Sequence, residues 1–98
     1  MPQCEITGIN APYSLFGCHN HHYIKQQHLA KYPEFFEREG IKQREMWLYC
    51  EVHDSLHHQS EKTFLETYGP IYFERTGKEL KKSDFLFNKK EYLKGLYA

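Results

Sequence analysis

The 98-residue sequence has no apolar run near the roughly 18 residues that a membrane-spanning helix needs. It shows no signal peptide at its N-terminus, and it has only three cysteines, Cys4, Cys18 and Cys50. A small, odd number of cysteines without a signal peptide predicts reduced thiols and a cytoplasmic location. Repeats and low-complexity stretches are also missing, and 40% hydrophobic residues argue against disorder. The sequence therefore predicts one folded domain, residues 1–98, with no membrane association.

An excess of charge of one sign is missing too, since 13 basic residues balance 13 acidic ones. The charge is nevertheless uneven, because residues 76–98 contain six lysines and only three acidic residues. A basic C-terminal segment on a mildly acidic body is compatible with contact to nucleic acid, although a solvated lysine-rich helix explains the same pattern. We expect only modest free-standing affinity for DNA, because phosphate contacts supply most of such affinity.

Histidine, in contrast, is abundant and clustered. The stretch "CHNHHYIKQQH" at 18–28 contains four of the seven histidines, and "CEVHDSLHH" at 50–58 contains the other three. Imidazole is the commonest protein ligand of transition metals, so two such clusters in a short chain suggest a metal site.

The hydrophobic pattern predicts an α+β fold. "HHYI" at 21–24 is typical of the end of a first strand, and "MWLYC" at 46–50 of a second strand. Pro33 and Gly40 suit the start and the end of a short helix. A longer helix is predicted from Val52 to Tyr68, ending at Gly69-Pro70, with "GPIYFERTGKE" as a turn and a short extended piece. Ser83 or Asp84 would begin a last helix, "DFLFNKKEYLKGL".

The spacing of the histidines can bring several imidazoles to one ion. His53 and His57 are four residues apart on a predicted helix and so share one face. His21 and His22 are adjacent on a strand, so both reach one site only if the strand ends or bulges there. If the strands pair as an antiparallel hairpin and the helix packs across them, three imidazoles surround a divalent metal ion.

The motif order "NHHYIKQ", an insert, and "MWLYCEVHDSLHHQ" resembles the HNH endonucleases, also called ββα-metal nucleases, and especially the nuclease domains of DNase colicins. The resemblance covers residues 18–68. It implies a small core of a two-stranded antiparallel hairpin plus a helix, with the basic segment 76–98 as an accessory helical part. It further implies a metal-dependent endonuclease that hydrolyses DNA in a bacterial or phage-infected cell.

Carried over by position, the resemblance makes His21, His53 and His57 the ligands of one divalent ion (Mg²⁺, Mn²⁺, Ni²⁺ or Zn²⁺). It makes His22 the general base, a role that suits an imidazole with a pKa near neutrality. Cationic candidates for contact with the phosphate are Lys25, Arg44 and Lys62. Because no separate recognition domain is evident, we expect low sequence specificity unless a protein partner or a homodimer contributes.

One residue of the family pattern is missing. The HNH motif has an asparagine before the second strand, which helps bind metal or braces the loop, and no Asn occurs between Tyr23 and Cys50. Gln43 or Glu45 lies near that place and would have to substitute for it.

The cysteines support an alternative. Cys4, Cys18, Cys50 and His53 could close a tetrahedral structural zinc site, because thiolates favour Zn²⁺. The protein would then be a zinc-stabilised, non-catalytic module that contacts nucleic acid or a protein. The same cysteines could also be ordinary buried hydrophobic residues, which is their commonest use.

Overall fold

Two short strands form the centre of the fold. The structure is a computed structural model that describes residues 1–88. Strand β1, Cys18–His22, pairs antiparallel with strand β2, Glu45–Tyr49, and His22 lies directly opposite Glu45. The predicted antiparallel hairpin and the α+β class are therefore confirmed, and β1 ends at the histidine pair as the sequence suggested.

The long connection between the strands contains two short helices, α1 (Gln26–Lys31) and α2 (Pro33–Glu39). Pro33 occupies the first turn of α2, and Gly40 ends it in the left-handed conformation at φ 69°. Glycine adopts this conformation without the steric cost that a Cβ atom brings. The prediction of a helix between Pro33 and Gly40 is confirmed.

The predicted helix from Val52 to Tyr68 is in fact two helices, α3 (Cys50–His58) and α4 (Glu61–Thr76). The helical conformation is interrupted at Gln59 and Ser60, whose backbones are both extended. The Ser60 hydroxyl accepts a hydrogen bond from the N–H of Thr63 at 3.2 Å. Serine at an N-cap satisfies a helical N–H that has no intrahelical partner, and this favours a new helix start there.

The expected stop at Gly69-Pro70 was wrong, because α4 continues through Pro70 to Thr76. Proline in a helix removes one hydrogen bond and normally clashes with the preceding residue. Gly69 has no Cβ atom for the ring to meet, and Pro70 is exposed, so the helix tolerates the pair. The expected turn and extended piece over "GPIYFERTGKE" are thus mostly helix, which ends at left-handed Gly77.

The last predicted helix is not found where it was expected to begin. Lys82–Asp84 form a single 3-10 turn, and Phe85 to Asn88 are not helical. The remainder of that predicted helix and of the basic segment, residues 89–98, lies outside the described residues.

The hydrophobic residues pack in two clusters. The larger one joins the N-terminal loop, β2, α3, α4 and the segment after α4; its buried members are Cys4, Ile6, Met46, Leu48, Val52, Leu56, Phe64, Leu80 and Phe85. The smaller one holds the connection between the strands against the end of the described chain, through Ile24, Phe35, Phe36 and Phe87. Within residues 1–88, none of the helices combines the length and the apolarity needed to cross a bilayer.

Candidate metal centre

Three histidines from two elements meet between the hairpin and α3. His21 comes from β1, and His53 and His57 come from successive turns of α3. One ring nitrogen from each lies within 4.8 Å of the others, and the ring centroids are 4.9 to 5.2 Å apart. These three residues are close enough to bind a metal ion, as the sequence predicted.

Local structure explains why the rings converge. His21 is paired with buried Met46 and is itself only 2% exposed, so it points to the inner face of the hairpin. Helix α3 begins at Cys50, directly after β2, and packs across the same face through Val52 and Leu56. The four-residue spacing on the helix then puts both of its imidazoles over the strand.

All three imidazoles are held neutral. Burial is the main cause that lowers the pKa of His21, His53 and His57 to about 4 in each case. The neighbouring imidazoles add to this effect, and Lys25 and Lys82 lower the pKa of His57 further. Neutral rings retain the lone pair that metal binding requires, so these rings are ready to act as ligands near pH 7.

The hydrogen bond of His21 determines which nitrogen is free. Its Nε2 lies 2.6 Å from the carbonyl oxygen of Phe85. A carbonyl can only accept, so Nε2 carries the proton and Nδ1 keeps the lone pair. Metal-binding histidines commonly donate their second ring N–H to a backbone carbonyl in this way.

The donor set fits a transition-metal ion. Three imidazole nitrogens around a tetrahedral Zn²⁺ at about 2.0–2.1 Å would lie roughly 3.3 Å apart, so the rings need only small movements from their present separation. Three protein ligands leave one coordination position open, and His53 and His57 are only half-buried, so that position can face solvent. Nitrogen donors suit Zn²⁺ or Ni²⁺ better than Mg²⁺, which prefers oxygen.

His22 follows His21 at the end of β1, but its side chain points to the other face of the hairpin and has different partners. Its Nε2 is 3.1 Å from Oε1 of Glu45 and 3.1 Å from the amide nitrogen of Gln26. Asn20 also contacts Glu45, from its side-chain nitrogen to Oε2 at 3.4 Å. His22 is thus adjacent to His21 in the chain, while its hydrogen bonds are with a carboxylate and an amide rather than with the three-histidine group.

Gln43 braces the loop that follows β1. Its Oε1 accepts the N–H of Ile24 at 2.8 Å, and its Nε2 donates to the carbonyl of the same residue at 2.6 Å. Of the two residues considered for the missing asparagine, Gln43 therefore clamps the backbone, whereas Glu45 contacts His22.

The three predicted phosphate contacts lie in different places. Lys25 is exposed and close enough to His57 to lower its pKa. Arg44 pairs with Glu5 at 3.1 Å and borders a cleft of about 440 Å³ that Lys42 and Lys78 also line. Lys62 is exposed in the first turn of α4.

Two further residues of this region, Lys82 and His19, are not among the predicted site residues. Lys82, from the segment after α4, lowers the pKa of His57, and its ammonium donates to the carbonyl of Gln59 at 3.0 Å. His19 lies two positions before His21, so it shares the inner face of β1, and its Nδ1 is 2.9 Å from Nδ1 of His53. The alternation of a strand could have indicated His19, whereas Lys82 approaches only through tertiary folding.

The alternative zinc site is not assembled in the part of the chain that the structure describes, where no close group of three ligands includes a cysteine. Cys4 accepts the N–H of Thr7 at 3.4 Å, and Cys18 donates to the carbonyl of Pro2 at 3.7 Å. Burial raises the pKa of Cys18, so its thiol stays protonated. All three cysteines are free thiols, and His53 belongs to the imidazole group instead.

No protein-family model, no curated protein sequence and no solved structure matches this chain.

Proposed function

We propose that this chain is a metal-dependent endonuclease that hydrolyses phosphodiester bonds of DNA. The observation that carries the proposal is the convergence of His21, His53 and His57 on a hairpin and a helix, with His22 following at the end of the same strand. That arrangement agrees with what the resemblance to HNH endonucleases implies for these positions.

The ligand set would hold one divalent ion, which when bound polarises the scissile phosphate and relieves charge on the leaving oxygen. His22 would take the proton of the attacking water. Its carboxylate partner Glu45 can only accept a hydrogen bond, so it favours the proton on Nε2 and leaves Nδ1 as the basic atom. Gln26 can share that proton through its amide oxygen when its amide is turned over.

Positive charge near the site supports contact with phosphates. Lys25 and Lys82 are both close enough to lower the pKa of His57, so a phosphate bound near His57 would be attracted by positive charge. The chain is neutral overall, and we therefore expect weak, largely sequence-independent binding, strengthened by a protein partner or by a second copy. Three cysteines without a disulfide favour a reducing compartment such as the cytoplasm, and the resemblance to HNH endonucleases would make it that of a bacterial or phage-infected cell.

The test is cleavage of supercoiled plasmid by the full chain with Mg²⁺, Mn²⁺, Ni²⁺ or Zn²⁺ added singly. We expect nicked or linear product with at least one ion and none with chelator. His22→Ala should abolish cleavage while metal binding and the circular dichroism spectrum are kept. His58→Ala, which alters an exposed histidine at the end of α3, is the matched control and should cleave normally.

A metal-stabilised, non-catalytic module is the second candidate, and the deep burial of His21 favours it, since an ion there would tie β1 to α3. In that case the wild type would bind one equivalent of metal and unfold on chelation, but would leave plasmid intact with every ion. Such a result would rule out the endonuclease.

A further inference from the structure

We propose that His19 is a positioning residue that fixes the ring tautomer of His53, so that the Nε2 atom of His53 faces the metal. This inference deepens the proposed function, because it rests on the three-histidine group as the metal site. It does not depend on whether the bound ion cleaves DNA.

The hydrogen-bond chain starts at a backbone carbonyl. The Nε2 of His19 lies 2.9 Å from the carbonyl oxygen of Leu15, and this oxygen can only accept. His19 therefore carries its proton on Nε2, and its Nδ1 keeps a lone pair. The same Nδ1 lies 2.9 Å from Nδ1 of His53. A hydrogen bond forms there only if His53 supplies the proton, so Nδ1 of His53 is protonated and its Nε2 is free.

The alternative tautomer of His53 would be unfavourable in two ways. It would place two lone pairs 2.9 Å apart between His19 and His53, and it would direct a hydrogen atom toward the shared site. Neutral His53 has one ring proton to place, and the partner of one nitrogen decides the state of the other. His19 thus determines which ring nitrogen of His53 carries the proton, as the Phe85 carbonyl does for His21.

The Leu15 carbonyl, which accepts the hydrogen bond from His19, is held by a tight turn. The N–H of Gly17 donates to Ser14, that of Cys18 donates to Pro12, and that of Cys50 donates to Gly17. A Cβ atom at residue 17 would lie 2.0 Å from the Pro12 carbonyl oxygen, so the turn requires glycine. The loop that carries Leu15 is therefore fixed both to β1 and to the first residue of α3, the two elements that supply the ligands.

Long-range ¹H–¹⁵N spectra of the histidine rings test the tautomers directly in the metal-free full chain. We expect the proton on Nδ1 of His53 and on Nε2 of His19. In His19→Ala the ring of His53 should shift toward the Nε2-protonated form. His19→Asn keeps an acceptor oxygen close to the former Nδ1 position and should largely restore the wild-type tautomer. A wild-type His53 protonated on Nε2 would overturn the inference.

Co²⁺ affinity, measured by chelator competition, tests the consequence. Loss of an orienting partner typically weakens metal binding by about 10–100-fold, and we expect this range for His19→Ala. His19→Asn should recover most of the affinity, which a purely structural or packing role would not predict. His58→Ala is the matched control on α3 and should bind as the wild type does. Thermal unfolding of the metal-free variants identifies any that fail to fold.

The outcomes separate this inference from the proposed function. Co²⁺ binding that depends on His19 in a protein that never cuts plasmid would support the inference and contradict the endonuclease. Equal Co²⁺ affinities of His19→Ala and the wild type would overturn the inference and leave the endonuclease to its own assay. A wild type that binds no Co²⁺ would overturn the inference as well.

Discussion

His22 and Glu45 face each other directly across the two strands, and Nε2 of the imidazole lies 3.1 Å from Oε1 of the carboxylate. The pair is part of the strand ladder rather than of a mobile loop, so its geometry is set by the pairing of β1 with β2. His22 follows the buried ligand candidate His21 directly in the chain, and its side chain lies with Asn20 and Glu45 on the opposite face of the hairpin.

We predict that His22→Ala lowers the single-turnover cleavage rate by about 10²–10⁴-fold, the usual contribution of a general base. Glu45→Gln should give a smaller loss, because the imidazole remains but loses its carboxylate partner. Both variants should bind Co²⁺ as the wild type does, since neither residue is in the ligand group. Normal cleavage by His22→Ala would rule out its role as the base.

We predict that the metal-free protein loses stability as the pH falls from 6.5 toward 4. The pKa of His21, His53 and His57 is about 4 in the folded chain, below the ordinary 6.5. In this range the unfolded chain binds protons that the folded chain does not, so acid favours unfolding. The slope from each imidazole is at most about 1.4 kcal/mol per pH unit, and it is smaller for half-buried His53 and His57, which solvent screens; above pH 6.5 this contribution no longer changes with pH.

Urea unfolding in chelator at pH values between 5 and 7 measures this slope. His53→Gln removes one of the titrating rings and should flatten the curve, whereas His58→Ala removes only one of the lesser influences on the pKa of His57 and should change the curve much less. A wild-type stability that is constant between these pH values would contradict the shifted pKa values.

Removing the clamp at Gln43 should loosen the loop after β1. Gln43→Ala leaves the backbone N–H of Ile24 without its partner, and an unsatisfied, partly buried polar group costs about 1–3 kcal/mol. Gln43→Glu keeps an acceptor but loses the donor to the Ile24 carbonyl, so it should also destabilise. Hydrogen exchange at the Ile24 amide reports the change locally, and an unchanged exchange rate in Gln43→Ala would disprove the clamp.

Pro70→Ala should stabilise the protein. Proline in a helix interior is about 3 kcal/mol less favourable than alanine, because it lacks an N–H and its ring crowds the preceding turn. The residue is exposed within α4, so no buried contact is lost. We expect a gain of about 1–3 kcal/mol in urea unfolding. A loss of stability would show that the proline has a structural role in this helix.

Lys25→Gln should weaken DNA binding and reduce its salt dependence. Each phosphate contact contributes about 0.9 to the slope of log K against log salt, so we expect the slope to fall by about one. Lys31→Gln is the matched control, because it neutralises an exposed lysine at the end of α1 that is neither a predicted phosphate contact nor among the charges acting on His57. Equal effects of the two changes on DNA binding would show that Lys25 makes no specific contact with a DNA phosphate.

Much of the site follows from local sequence. The hairpin, the helix after Cys50 and the i,i+4 pair His53 and His57 are set by periodicities that depend only on nearby residues. Gly40 ended its helix as expected, because a left-handed C-cap is a local property. These signals were enough to place His21 opposite the two helical histidines.

Only the tertiary structure decided the remaining features. The continuation of α4 past Pro70 depends on packing, since the summed contacts of a helix outweigh one lost hydrogen bond, whereas the Ser60 N-cap that begins α4 is a local signal which the helical periodicity concealed. The roles of His19, Gln43 and Lys82 depend on atoms that are far apart in the chain. A hydrogen bond is formed between specific atoms in space, and the sequence does not show which carbonyl or imidazole will be within reach.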